Sequence, residues 1–310
     1  MARRKQPKPV HQLTVGQMDE MFPNEEACAA YLVARRWPKG IICPRCGSDR
    51  PYPLRTMAFK WECPACSSSG YRFSHLVGTI FENTNYPLKT WFKVIHQMLT
   101  SKKGVSALQI QRIHGMGSYR TAWYMCHRVR MGLSEPQTML GGLVEVDETF
   151  IGGKAHNKHR SGKDHDDDGN LTHTGGTVGS GKVPVIGAVS RKGKLVARMI
   201  EHCDTATLEN FVHHVADPKT STIITDEYAG YRFLNKSYPH AVINHHRHQY
   251  VVGAVHTNTI EGFWSILKRG VIGTYHKVSA KYLGFYVAEF QFRYNNRNNP
   301  DIFGTAIAGC

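Results

Sequence analysis

The chain has 310 residues, of which 41% are hydrophobic and 20% are charged, as in a globular protein of two or three domains. Its 39 Lys and Arg residues outnumber the 24 Asp and Glu residues, giving a formal net charge of +15. Such an excess favours nucleic acid as a partner, because neutralised phosphates release their counterions. No run of about 18 apolar residues exists, which excludes a membrane helix, and the basic N-terminus lacks the apolar segment of a secretory signal. A cytoplasmic protein is therefore expected.

The N-terminal quarter begins with a basic, proline-containing segment, which predicts a tail over residues 1–24. Ala, Tyr, Leu and Val then recur at helical spacing over residues 25–37, before Pro38 and Gly40. A helix is predicted there, and with the segment that follows it forms a predicted zinc-ribbon domain over residues 25–76.

Two Cys-x-x-Cys pairs, separated by 16 residues, carry the zinc prediction: Cys43, Cys46, Cys63 and Cys66. Two thiolates on a tight turn can both reach one tetrahedral ion, and four fill its coordination sphere. One structural, non-catalytic Zn²⁺ is expected. The alternative, a redox motif, lacks the βαβ context that it requires. Basic residues make DNA the natural ligand of this domain: Arg45, Arg50, Arg55, Lys60 and Arg72.

Residues 85–135 are predicted to be helical, with glycines as breaks. The stretch from Val105 to Arg130 has the outline of a helix-turn-helix, whose second helix would enter a major groove. Four basic residues of this helix could contact DNA: Arg120, His127, Arg128 and Arg130. The alternative is an ordinary helical hairpin with three residues in its core: Trp123, Tyr124 and Val129.

From residue 141 to about 300 the pattern changes to mixed strands and helices, in the order of three strands, helix, strand, short helix, strand and two helices. Residues 154–182 interrupt it with a segment rich in Gly, His and Asp and poor in apolar residues. We expect this segment to be a flexible insertion of the α/β domain.

Three acidic residues of this domain are candidate ligands of a hard cation. Asp147 lies within a β run, Asp226 ends another, and Glu261 lies in the first turns of a helix. Each also has a structural interpretation. Glu145 and Glu148 are as available as Asp147, Asp226 could begin a turn, and Glu261 stands three residues after Asn258, at capping-box spacing.

Four segments bear on this choice together: EVDETFIGGK, TDEYAGY, HTNTIEGFWSILKRGVIGTYH and FYVAEFQFRYNNR. They resemble the DDE transposases of bacterial insertion sequences, in particular the group with an N-terminal zinc ribbon and an ISXO-like catalytic domain. The resemblance covers nearly the whole chain after the tail.

The resemblance implies an RNase H-like α/β domain with a five-stranded mixed sheet, in which the first and fourth strands are neighbours. It implies that Asp147, Asp226 and Glu261 hold two Mg²⁺ or Mn²⁺ ions. It also implies a catalytic, phosphate-binding role for the basic residue seven positions after the glutamate, Lys268, with Arg269 beside it. A surface lysine is the alternative for Lys268.

The function implied is a bacterial, nucleoid-associated transposase that binds terminal inverted repeats, cleaves phosphodiester bonds and joins 3′ ends to target DNA. Since two ends must be brought together, a homodimer or larger assembly is expected. Two alternatives remain open: a zinc-ribbon DNA-binding regulator with an inactive catalytic fold, and a nuclease that cuts without joining.

Overall fold

The computed structural model describes residues 14–66, 69–152, 182–243 and 255–310. Contacts divide the chain into two compact units, of which the first joins Met1–Ser134 to Asn296–Cys310 and the second is Glu135–Asn295. Residues 1–13 of the predicted tail, and the predicted insertion 154–182 apart from Lys182, lie outside the described residues. None of the helices in the described ranges has the length and apolar character that a bilayer crossing needs.

The first unit begins with helices α1 (Val15–Met21) and α2 (Glu25–Arg36). The prediction of a tail over residues 1–24 is therefore wrong for α1. Thr14 and Gln17 form a capping box at its start, and Met18 is buried. A helix of seven residues with one buried side chain has too little hydrophobic periodicity to be recognised in a basic segment.

The ribbon follows as a three-stranded antiparallel sheet of β1 (Tyr52–Pro53), β2 (Lys60–Cys63) and β3 (Tyr71–Ser74), in that order. Its core is aromatic, with Trp61 and Phe73 buried. The ring centroids of Trp61 and Phe73 are 6.0 Å apart, and Trp37, which follows α2, packs edge-on against Trp61 at 5.4 Å.

The helical region contains α3 (Leu88–Thr100), α4 (Ala107–Ile113) and α5 (Tyr119–Gly132), with the predicted break between the last two. Of the three residues proposed for a hairpin core, Val129 is fully buried, Trp123 is half-buried and Tyr124 is 57% exposed. The helical hairpin therefore has an apolar core that does not include Tyr124.

In its described residues, the second unit contains a five-stranded mixed sheet and three α-helices. Its elements are β4 (Leu140–Ile151), β5 (Val183–Ser190), β6 (Leu195–Met199), α6 (Thr205–Val215), β7 (Ala216–Asp226), β8 (His240–Ile243), α7 (Asn258–Gly270) and α8 (Ala280–Asn295). The strand order is β6-β5-β4-β7-β8, with β7 parallel to both β4 and β8 and with β5 antiparallel to both β4 and β6. The predicted five-stranded mixed sheet is confirmed, as is the pairing of its first and fourth strands. A last helix, α9 (Ile302–Gly309), belongs to the first unit.

Strand β4 lies in the middle of this sheet and has a helix packed on each of its faces. Val144 and Val146 pack with the apolar side of α6. On the opposite face, Ile151 packs with residues of α7 and α8, including Trp264 and Leu267. Because side chains alternate along a strand, the acidic residues of β4 are divided between these two faces.

Candidate active site

Glu145, on the α7 face of β4, is fully buried and accepts five hydrogen bonds. Oε2 accepts from the backbone N–H groups of Thr259 (2.8 Å) and Ile260 (3.1 Å). Oε1 accepts from the Thr259 hydroxyl (2.8 Å) and from Nε (3.1 Å) and Nη2 (2.9 Å) of Arg191. A carboxylate has about four lone-pair sites, so the acceptor capacity of Glu145 is filled by the protein.

Glu145 therefore anchors the start of α7 to the central strand. The first N–H groups of a helix lack intrahelical partners and carry partial positive charge, which a carboxylate neutralises. From the sequence, Glu145 was as good a candidate cation ligand as Asp147, and its role at the start of α7 was not predicted. An acidic residue on an apolar strand does signal a buried carboxylate that must be paired, but the identity of its partners depends on the tertiary fold.

Asp147, two residues further along the same face, has different surroundings. Its Oδ2 accepts one side-chain hydrogen bond, from the indole Nε1 of Trp264 at 3.1 Å. Burial raises the pKa of the Asp147 carboxyl to about 8, and the negative charges of Glu148, Asp226 and Glu261 act in the same direction. A divalent cation would relieve this repulsion.

Asp226 ends β7 and lies beside Asp147. The parallel register pairs Glu145 with Ile224. Asp147 lies two residues after Glu145, and Asp226 lies two residues after Ile224. Adjacent strands are about 4.8 Å apart and matched residues point to the same face. Both carboxylates therefore lie on the α7 face. The backbone N–H of Tyr228 donates to Oδ1 of Asp226 at 3.0 Å.

Glu261 lies in the first turn of α7 and is exposed. The capping-box alternative for this residue is wrong, because the helix begins one residue earlier than that spacing requires. Its N-cap is Thr257, and Asn258 is the first helical residue. The Thr257 hydroxyl donates to Oε1 of Glu261 at 2.7 Å, while the first N–H groups of the helix are bound by Glu145.

Glu148 points to the other face of β4, where the hydroxyl of the buried Tyr231 donates to its Oε2 at 2.5 Å. Burial raises the pKa of Glu148 to about 6, against the lowering effect of this hydrogen bond. The structure thus separates the three acidic residues of the strand. Glu145 is saturated by donors, Glu148 is bound on the opposite face, and Asp147 is near Asp226 and Glu261.

Lys268 and Arg269 lie in the last turn of α7, and both are exposed. Lys268 follows Glu261 by seven residues, or about two helical turns, which puts both on one side of the helix. Arg269 donates from Nε to the carbonyl of Ser265 at 3.0 Å.

In the first unit, the four ribbon cysteines form a compact group. In the described part of the chain they are the one set of three or more His, Cys, Asp or Glu residues whose ligand atoms all lie within 4.8 Å of one another. Sγ of Cys43 is 3.6 Å from Sγ of Cys66, and the Cys46–Cys63 distance is also 3.6 Å. Burial opposes ionisation of Cys43, but the backbone N–H groups of Cys46 and Arg45 lower its pKa to about 7. Burial and the neighbouring thiols raise the pKa of Cys66 to about 12.

The predicted DNA contacts of the first unit differ in accessibility. Arg45 and Arg120 are exposed, and the guanidinium of Arg45 lies 5.3 Å from the ring centroid of Tyr71. Arg128 instead donates to the carbonyl oxygens of Glu82 (3.0 Å) and Thr79 (3.4 Å). Arg128 thus joins α5 to a preceding loop, and these two carbonyls take up part of its donor capacity. His127 and Arg130 are buried. The expectation of DNA contacts is wrong for these two residues, because they lie on the side of α5 that faces the core of the first unit.

A mixed α/β domain with carboxylates gathered at its central strands, preceded by a ribbon with four clustered thiols, is the arrangement of zinc-ribbon transposases. Comparison with known families gives the same class. The model of the ISXO2-like transposase domain matches residues 139–295, half of the chain, and that of the transposase zinc-ribbon domain matches residues 23–69. A protein of Halobacterium salinarum, described as an uncharacterized protein in transposable element ISH50, is 27% identical over 280 residues. These cover 88% of this chain and 91% of that protein. The chain belongs to the ISXO2-like transposase family.

Proposed function

We propose that this family member is an active DDE transposase, which binds the terminal inverted repeats of its element, cleaves phosphodiester bonds and joins the 3′ ends to target DNA. The observation that carries the proposal is the convergence of β4, β7 and α7. Asp147 and Asp226 stand side by side on one face of the sheet, and Glu261 lies in the first turn of α7, the helix packed on that face.

The donor set fits Mg²⁺ or Mn²⁺, since hard cations take carboxylate oxygens. In this proposal Asp147, Asp226 and Glu261 hold two such ions, which when bound activate a water or a 3′-OH and stabilise the attacking and leaving oxygens. The carboxyl of Asp147, whose pKa is raised, releases its proton when it becomes a ligand. Lys268 and Arg269 extend the site along α7 with positive charge suited to phosphate.

The first unit supplies DNA binding in this proposal. Cys43, Cys46, Cys63 and Cys66 hold one structural Zn²⁺, which fixes the ribbon. Exposed Arg45 and Arg120 contact phosphate or base edges. Because two element ends must be brought together, we propose a homodimer or larger assembly on the chromosomal DNA.

The decisive experiment is a strand-transfer assay with a labelled element end and Mg²⁺ or Mn²⁺. We expect Asp147→Asn, Asp226→Asn and Glu261→Gln each to lower cleavage and joining by orders of magnitude, because each change removes a charge that holds cations and keeps the side-chain shape. End binding should persist. Glu201→Gln, which neutralises an exposed carboxylate of the same unit, is the matched control and should retain activity.

The same assay distinguishes the other two functions. An inactive DNA-binding regulator would bind the end and leave it intact, whereas a nuclease would cut and yield no joined product. Normal strand transfer by Glu261→Gln would remove Glu261 from the site, and the same result for either aspartate would end the two-metal proposal.

A further inference from the structure

Helix α7 brings a second functional group to Asp147 besides Glu261. Trp264 follows Glu261 by three residues, and residues at this spacing are neighbours on a helix surface. Its indole is 4% exposed and packs in the apolar layer between α7 and the sheet. From this layer its Nε1–H donates to Oδ2 of Asp147 at 3.1 Å.

A glycine makes room for this contact. Gly187 in β5 is the residue paired with Asp147 across the antiparallel ladder. A Cβ at Gly187 would lie 2.8 Å from both Cη2 and Cζ2 of Trp264 and 3.1 Å from Cδ1 of Ile260. The indole therefore rests on bare backbone directly opposite Asp147, and any larger residue would push it away.

We infer that Trp264 is a positioning residue for Asp147, which fixes one carboxylate oxygen while the remaining lone pairs stay available for a divalent cation. The inference rests on the proposed function, because it treats Asp147 as a cation ligand. The carboxylate of an aspartate rotates over a broad range of its terminal torsion angle. A fixed donor already restricts this rotation, so the carboxylate loses less conformational entropy when it binds an ion. An indole N–H donates at any pH and cannot accept.

The first test measures Mn²⁺ binding by calorimetry with the full-length, zinc-loaded protein and no DNA. Partners that orient metal ligands contribute about 10–100-fold in affinity, so we expect Trp264→Phe to bind Mn²⁺ at least about tenfold more weakly. Phenylalanine keeps an aromatic ring over Gly187 and removes only the N–H donor and some volume. Cleavage by this variant should recover as the Mn²⁺ concentration rises.

Trp91→Phe is the matched control, since Trp91 is also buried and its Nε1 donates to Thr84 at 2.8 Å in the first unit. It should lose some thermal stability and keep wild-type Mn²⁺ affinity. If Trp264→Phe behaves in the same way, Trp264 contributes packing alone and the inference is overturned.

Gly187→Ala is a second, independent variant, because it keeps the indole and displaces it. We expect it to weaken Mn²⁺ binding as Trp264→Phe does, and unchanged affinity in a folded Gly187→Ala protein would contradict the inference. Asp147→Asn separates this failure from that of the proposed function. If Asp147→Asn abolishes Mn²⁺ binding while both Trp264→Phe and Gly187→Ala bind normally, only the role of Trp264 is wrong. If Asp147→Asn binds Mn²⁺ like the wild type, both proposals fail.

Discussion

The four thiols of the ribbon and the three carboxylates of the α/β domain are both candidate cation sites, but they are assembled in different ways. The thiols come from two short turns joined by a hairpin, and all their ligand atoms lie within 4.8 Å. The carboxylates come from β4, β7 and α7, which are separated by 79 and 35 positions in the chain (147 to 226, and 226 to 261). Local spacing forms the first site, whereas the second depends on strand pairing and helix packing.

The two sites also differ in how charge is distributed around them. In the ribbon the four thiols differ: hydrogen bonds from backbone N–H groups lower the pKa of Cys43 to about 7, whereas burial and the neighbouring thiols raise the pKa of Cys66 to about 12. At the sheet, burial and neighbouring carboxylates raise the pKa of Asp147 to about 8. The donors that would stabilise a carboxylate are concentrated on Glu145. We infer that the ribbon needs its ion to fold, while the α/β domain folds without one.

The largest predicted effect is therefore loss of the ribbon when its ion is removed. Structural zinc sites contribute about 10–16 kcal/mol of apparent binding free energy, and the core around these thiols is a small aromatic cluster. We expect a strong chelator, or Cys63→Ser, to unfold the ribbon and abolish specific end binding. Metal analysis and circular dichroism measure both effects.

Cys310→Ser is the control for this experiment, because the Cys310 thiol lies outside the cluster and donates to the Ala306 carbonyl, as a serine hydroxyl can. It should keep one zinc per chain. Purified protein with no zinc and four reactive thiols in the ribbon would show that the comparison between the two sites is mistaken.

A second, smaller effect is expected at Glu145, the residue that ties α7 to β4. In Glu145→Gln the buried carboxylate partner of Arg191 is lost and an amide N–H₂ group faces helix N–H donors. Breaking a buried ion pair lowers the free energy of unfolding by about 3–5 kcal/mol. Because Arg191 is partly exposed, we expect a loss at or below the lower end of this range. Activity should fall even at temperatures where the variant stays folded, because α7 also carries Glu261.

Asp204→Ala provides the comparison for Glu145→Gln, since Asp204 caps α6 through the N–H of Thr207 at 2.8 Å. Loss of such a cap costs about 1 kcal/mol, and α6 carries no candidate ligand. This variant should keep its activity where it remains folded. Wild-type activity in Glu145→Gln would mean that apolar packing alone places α7.

The same contrast explains which features could be predicted from the sequence. The cysteine spacing and the order of strands and helices along the chain can be predicted because motif and periodicity are local. The pairing of the first and fourth strands and the choice of acidic residues 147, 226 and 261 came from the resemblance to the transposase family, and that choice of residues stays a prediction. The sequence pattern does not distinguish Glu145 from Asp147, since both are acidic and share a face. They differ only in the hydrogen bonds that α7 and Arg191 donate to them. The capping-box alternative took Asn258 as the N-cap of α7, whereas the N-cap is Thr257. The pattern could not show this, because the first N–H groups of the helix are bound by Glu145 of a distant strand.

The last predicted effect concerns the stability of the α/β domain without divalent cations, and it tests how burial and the neighbouring carboxylates act on Asp147. The unfolded chain loses the Asp147 proton near the ordinary pKa of 3.8, whereas the folded protein keeps it up to about pH 8. Between these values the folded state binds more protons, so this group's contribution to the free energy of unfolding decreases as pH rises. Asp147→Asn removes that decrease. We therefore expect the variant to melt with the wild type near pH 4 and at a clearly higher temperature than the wild type near pH 8, in a chelator that spares zinc. Saturating Mg²⁺ should raise the melting temperature of the wild type alone and close the gap. Equal melting temperatures at all pH values would indicate that Asp147 is already compensated by protein donors, as Glu145 is, and the contrast between the two carboxylates would disappear.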